Sequence, residues 1–180
     1  MKKIIVAMLS MLMLTSLAVF GQQKPVKLVF TSVSVPGDAH TQAMYVFKDE
    51  VEKLSGKQIQ VDVYDSGKLF TQQAEQDAIR KGTVDMVYTS ASWLAEFVPY
   101  LSMFGAAYTF QSYEQMTKTF NGSIGKKIFE EVAQKTGIRP LVAYYLGTRQ
   151  LNLIAKVGPV TKPEQMKGVK LRVPNSPTWI

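Results

Sequence analysis

The chain has 180 residues, 46% hydrophobic and 19% charged, an ordinary balance for a globular protein and enough for one sizeable core. It has no cysteine and a single histidine, His40, so disulfides, thiolate chemistry, a cysteine lipid anchor and histidine-cluster metal sites are excluded, and a serine triad is disfavoured. The formal net charge of +7 includes no basic run, which offers little to nucleic acid but suits steering of a small anionic solute.

In chain order, Met1-Lys2-Lys3, the apolar run from Ile4 to Phe20 and the small Gly21 read as a secretory signal peptide over residues 1–21, cut near Gly21. The competing reading, a membrane anchor, is weakened because the run is at the short edge of spanning length. Loss of Lys2 and Lys3 with the leader would lower the charge to about +5. The mature chain is therefore expected to be an exported, periplasmic protein.

Lys27 to Ser34 (KLVFTSVS) is β-rich and alternating, which predicts a first strand ending in a Pro36-Gly37-Asp38 turn. A helix is expected from His40 to Leu54 with Ala43, Phe47, Val51 and Leu54 as its apolar stripe, closed at Ser55-Gly56. IQVDVY at 59–64 reads as a second strand, and Asp65-Ser66-Gly67 as a turn. Thr71 then caps a helix that stops at Gly82. VDMVYTSA at 84–91 reads as a third, buried strand.

This β-α-β-α-β order predicts a parallel sheet with right-handed crossovers and ligand sites at the carboxyl ends of its strands. Three loops qualify: Ser34–His40, Asp65–Thr71 and Thr89–Trp93, the last including Ser90. Glu75 is singled out because it falls in the first turn of the helix after the second strand, facing the expected cleft. The other carboxylates, Asp62, Asp65 and Asp77, read as solvated charge. Trp93 to Phe110 reads as core and hinge packing. Ser112-Tyr-Glu-Gln115 is a capping box that opens a helix to Phe120, broken at Asn121-Gly122. A further helix from Ser123 to Gly137 should turn Ile124, Ile128, Phe129 and Val132 inward.

Two arginine segments follow. RPLVAYYLG at 139–147 reads as a strand leading to Arg149, and Thr161-Lys-Pro-Glu164 as a capping box for a short helix. In VKLRVP, Val169, Leu171 and Val173 alternate with Lys170 and Arg172, so Arg172 is expected on one face of another strand. Asn175-Ser176-Pro177 then looks like a helix start. An arginine beside a helix N-terminus suits a carboxylate, which the planar guanidinium binds through two parallel hydrogen bonds. The plain alternative is a solvated arginine on an edge strand.

GTRQ at 147–150, followed by VTKPEQMKGVKLRVPN, together with SGKQIQVDVYDSGKL and GTVDM, resembles the DctP-type solute-binding proteins of tripartite ATP-independent periplasmic (TRAP) transporters, including their sialic-acid-binding branch. The likeness runs from about Lys27 to the last residue. It implies a bilobal α/β periplasmic-binding-protein fold, with a parallel-type sheet and flanking helices. Residues 25–146 would form the first lobe and 147–180 the start of a second lobe that is incomplete in this chain, since family members are longer. It further implies a receptor, not an enzyme, that carries an organic anion (a carboxylate, dicarboxylate or sugar acid) to membrane permease subunits, monomeric when full length and without a cofactor. Arg172 would hold the carboxylate, with Arg149 assisting. His40 would lie near the ligand, matching the family's first-loop histidine, and Glu75, Ser90 and Asn175 are further candidate contacts from their own positions in the chain. Phe70 departs from the family's usual glycine. An exported enzyme or a signalling receptor on a related scaffold remains the alternative.

Overall fold

The computed structural model describes residues 24–148, 150–176 and 178–179, so the expected leader lies outside the described residues. Its centre is a parallel three-stranded sheet in the order β2-β1-β3. Strand β1 (Val26–Thr31) pairs along its length with β2 (Ile59–Tyr64), with Leu28 opposite Val61 and Phe30 opposite Val63. β3 is only Met86–Val87, paired with Phe30 and Thr31. The expected strand over 84–91 is thus two residues long, because Asp85 Oδ2 accepts the Val29 N–H (2.7 Å) before the ladder and Ser90 opens a helix after it.

Helix α1 (Ala39–Leu54) covers one core cluster, in which buried Phe30, Met44 and Val61 are joined by Leu28, Phe47, Val51, Val63 and Met86. The inward stripe is Thr41, Met44, Phe47 and Val51: Phe47 and Val51 are as expected, while Met44 takes the place expected of Ala43 and Leu54 is exposed. Met44 is 0% exposed while Leu54 is 81% exposed. The inward place at the end of the helix falls to Ser55, whose hydroxyl accepts the Ile59 N–H (3.1 Å) and ties the helix to β2. Helix α2 (Gln72–Arg80) starts where expected, with Thr71 Oγ1 accepting from the Ala74 N–H.

The second cluster joins helix α3 (Ala91–Leu94), a 3₁₀ segment (Pro99–Gly105) and helix α5 (Ser123–Thr136), with Leu94, Val98, Leu101, Val132 and Ile138 at its centre. Helix α4 (Tyr113–Asn121) precedes α5. Half of the expected capping box forms: Ser112 Oγ accepts the Gln115 N–H (3.2 Å), but Gln115 Oε1 accepts from the Gln111 N–H (2.8 Å) and not from Ser112. Ile124 does not point inward. Gly125 takes that position because a Cβ there would overlap the Phe120 carbonyl, which leaves Ile124 60% exposed.

The strands expected at 139–147 and 169–174 do not form; those residues carry no ladder. Their alternation is real, but neither segment has a β partner in the described residues, and alternation alone supplies no hydrogen bonds. Between them, the short helix is a 3₁₀ turn (Pro163–Met166), capped by Gln165 and not Glu164: Gln165 Oε1 accepts from Thr161 N–H (2.7 Å) and Lys162 N–H (2.9 Å). The helix expected at Ser176 is a turn closed by Trp179 N–H to Ser176 O (2.9 Å). Amide hydrogen exchange should therefore be slow across Val26–Thr31 and Ile59–Tyr64 and fast at 170–173. Protection of 170–173 comparable to β1 in monomeric protein would contradict this arrangement.

Candidate functional site

The carboxyl ends of β1 and β3 lie side by side, and the segment Tyr88–Trp93 leaving β3 includes Ser90 and touches His40 and Arg172. At its start, the Tyr88 ring meets His40 (centroids 5.9 Å apart) and Tyr144 (5.7 Å). Next, the Thr89 hydroxyl donates to Gln76 Oε1 (2.8 Å). Ser90 follows as the residue preceding α3, and at the far end Arg172 lies over the Trp93 ring, with its guanidinium carbon 5.4 Å from the centroid. His40 and Arg172 thus meet the two ends of this segment, Ser90 lies within it, and Glu75 accepts from Thr31 at the carboxyl end of β1. Asn175 is exposed in the turn after Arg172, and Arg149 lies outside the described residues.

Beneath this segment sits a buried polar layer. Glu75 is 0% exposed and its Oε1 accepts from the Thr31 hydroxyl (3.2 Å). Its Oε2, Gln76 Nε2 and Ser90 Oγ are buried without a hydrogen-bond partner. Buried polar atoms are paired in most proteins, so three in one place mark a region built for polar contact. Beside them, Ser32, Ser34 and Thr41 form a hydroxyl chain with links of 2.8 and 2.7 Å.

Burial pushes the Glu75 carboxyl up from 4.5 to about 7, opposed by the Thr31 hydrogen bond. The folded chain then holds a proton that the unfolded chain releases over that interval. Stability from this group is complete at pH below about 4.5 and is lost as pH rises through about 7. A series of urea midpoints should fall between these limits, and Glu75→Gln should flatten the fall. An unchanged slope in that variant would show that Glu75 does not carry it.

Asp65 is not solvated charge, as the sequence reading had it. It is buried and accepts from Lys68 (2.7 Å), Tyr45 (2.8 Å) and Ser66 (3.0 Å), which hold its carboxyl below the usual range and pin the loop after β2 to α1. Ser66 and Gly67 both take positive φ in this turn. The start of α1 opens on a concavity of about 350 Å³ lined by Gly37, Asp38, His40, Ala43, Tyr144 and Tyr145. Burial and the neighbouring Tyr88 push the Tyr144 phenol well above its ordinary value, so it remains a donor at neutral pH.

Sequence reasoning missed Gln76, Tyr88, Tyr144 and Trp93. Gln76 reads as helix surface in any periodic pattern. Trp93 stood at the edge of a marked loop but was assigned to core. The arrangement offers hydrogen-bond donors and acceptors, aromatic faces and one cation on a ring. Among the described residues, no group of three or more His, Asp or Glu is placed to hold a metal ion.

Residues 30–180 match the family model described as bacterial extracellular solute-binding protein, family 7. A solute-binding protein of Roseobacter denitrificans is 29% identical over 167 residues, covering 93% of this chain and 50% of the relative. The C4-dicarboxylate-binding periplasmic protein DctP of Rhodobacter capsulatus is 27% identical, covering 89% of this chain and 47% of its own length. The chain thus spans about half the length of the curated relatives it matches. Among solved structures, a TRAP periplasmic solute-binding protein of Roseobacter denitrificans with bound 3-deoxy-D-manno-oct-2-ulosonic acid superimposes with a TM-score of 0.74 at 29% identity, covering 87% of this chain and 51% of that one.

Proposed function

This chain belongs to the bacterial extracellular solute-binding proteins of family 7, and on that premise we propose that it serves a TRAP transporter as a receptor that captures an organic anion outside the cytoplasmic membrane and hands it to the permease. The observation that carries this reading is that the segment Tyr88–Trp93, at the carboxyl end of a parallel sheet where open α/β folds place their ligands, meets His40 at one end and Arg172 at the other and includes Ser90. Export by the leader over 1–21 agrees with the periplasmic relatives.

Arg172 takes the ligand carboxylate as a two-pronged donor. The hydroxyls and amides of the polar layer read the rest of the solute. The relatives' names and ligands, a C4-dicarboxylate in one case and an eight-carbon sugar acid in another, support a carboxylate or sugar acid as the solute class. We assign residues 25–146 to one lobe and 147–180 to the other, with Arg149 and Asn175 as further ligand contacts. Arg149→Ala should weaken binding less than loss of Arg172 and should shift preference among acids. Equal loss for every acid in a competition assay would remove its selectivity role.

A binding protein needs orientation and affinity but no turnover, and the relatives this chain matches are binding proteins by name. A thermal-shift screen of organic acids tests the reading. A rise in melting temperature with the acid recovered unchanged is expected; conversion of the acid to product would favour an enzyme instead.

A further inference from the structure

The arginine segment has no strand ladder to fix it, so something else must place the guanidinium. Three contacts with the unit formed by α3 and the Pro99–Gly105 segment do so. Arg172 lies over the Trp93 ring at 5.4 Å. Thr178 Oγ1 donates to Ser102 O (3.0 Å), with Pro174 and Ser176 buried between these two contacts. Gly105 leaves the room for this approach: a Cβ there would overlap Ser92 Oγ and come 3.3 Å from Trp179 Nε1.

Arg172 is itself exposed and forms part of no ion pair described. An exposed arginine ordinarily samples many rotamers, and ordering one on binding costs affinity. A guanidinium lying on an aromatic face keeps its N–H edge free for an anion while its plane is held. We propose that Trp93 is a positioning residue for Arg172, holding the guanidinium over the indole so that its fork is already set for the ligand carboxylate. This rests on the reading of Arg172 as the carboxylate anchor.

The test has two arms. In the ligand-free 180-residue chain, proton NMR of the Arg172 side chain, assigned by its loss in Arg172→Lys, should show the δ-methylene and Nε protons displaced upfield by the indole. Trp93→Phe should keep part of the displacement and Trp93→Leu none. In titrations with 3-deoxy-D-manno-oct-2-ulosonate, Trp93→Leu should bind about 3- to 30-fold more weakly and Trp93→Phe should lose less. The double variant Trp93→Leu/Arg172→Lys should be no weaker than Arg172→Lys alone, a coupling that general damage to the fold would not produce. Absence of the upfield displacement in the parent overturns the proposal. So does unchanged affinity in Trp93→Leu when Arg172→Lys is weakened, a result that leaves Arg172 as the anchor. Unchanged affinity in Arg172→Lys removes the anchor itself, and both readings fall.

Discussion

Arg172→Ala should weaken binding of a carboxylate ligand by about 2–5 kcal/mol, roughly 30-fold to several thousand-fold in Kd. In the complex the carboxylate gives up its water, and without the guanidinium it has no equal partner to replace that water. Arg172→Lys should also bind poorly, since an ammonium offers no planar fork and a different geometry on the Trp93 ring. Isothermal titration of the three proteins against one acid decides the matter. A lysine variant that binds like the parent would show that charge alone suffices and that the two-pronged geometry is wrong.

Met44→Ala should cost about 2–5 kcal/mol of folding stability, because the side chain is fully enclosed between α1 and the sheet and its removal leaves a cavity among Phe30, Val61 and their neighbours. Leu54→Ala, at the exposed end of the same helix, should stay within about 0.5 kcal/mol. Urea melts of both variants check the phase of the helix directly. A larger loss at Leu54 than at Met44 would restore the stripe expected from the sequence.

Much of the first α/β unit was legible because local signals agreed there. β1, β2, the Thr71 cap and the Ser112 cap each had alternation or capping chemistry that needs no distant partner. The middle of the α1 stripe, Phe47 and Val51, was read correctly, but its ends were not, because Met44 and Leu54 are equally apolar and Ser55 takes the inward place beside β2. The arginine segments were misread for the opposite reason. Their alternation was genuine, yet a strand is made by its neighbour, and 169–174 has none among the described residues.

In the site, Glu75 and Ser90 were singled out by position near strand ends, His40 by its helix start and the family resemblance, and Arg172 by the alternation of VKLRVP and that resemblance, although the strand it implied does not form. Gln76 and Trp93 were not singled out, since their role depends on contacts with Thr89 and Arg172 that no spacing encodes. Asp65 passed for a solvated turn residue because its three partners come from its own loop and from α1, 20 residues away.

The central claim is that a carboxylate is what this site recognises, through Arg172. The most direct measurement takes whichever of succinate, galactonate and 3-deoxy-D-manno-oct-2-ulosonate most raises the melting temperature, and compares its binding with that of its methyl ester in the parent and in Arg172→Ala by isothermal titration. The parent should prefer the free acid at least about tenfold, and the preference should vanish in the variant. Equal binding of acid and ester by the parent, or a preference that survives loss of Arg172, would contradict the account.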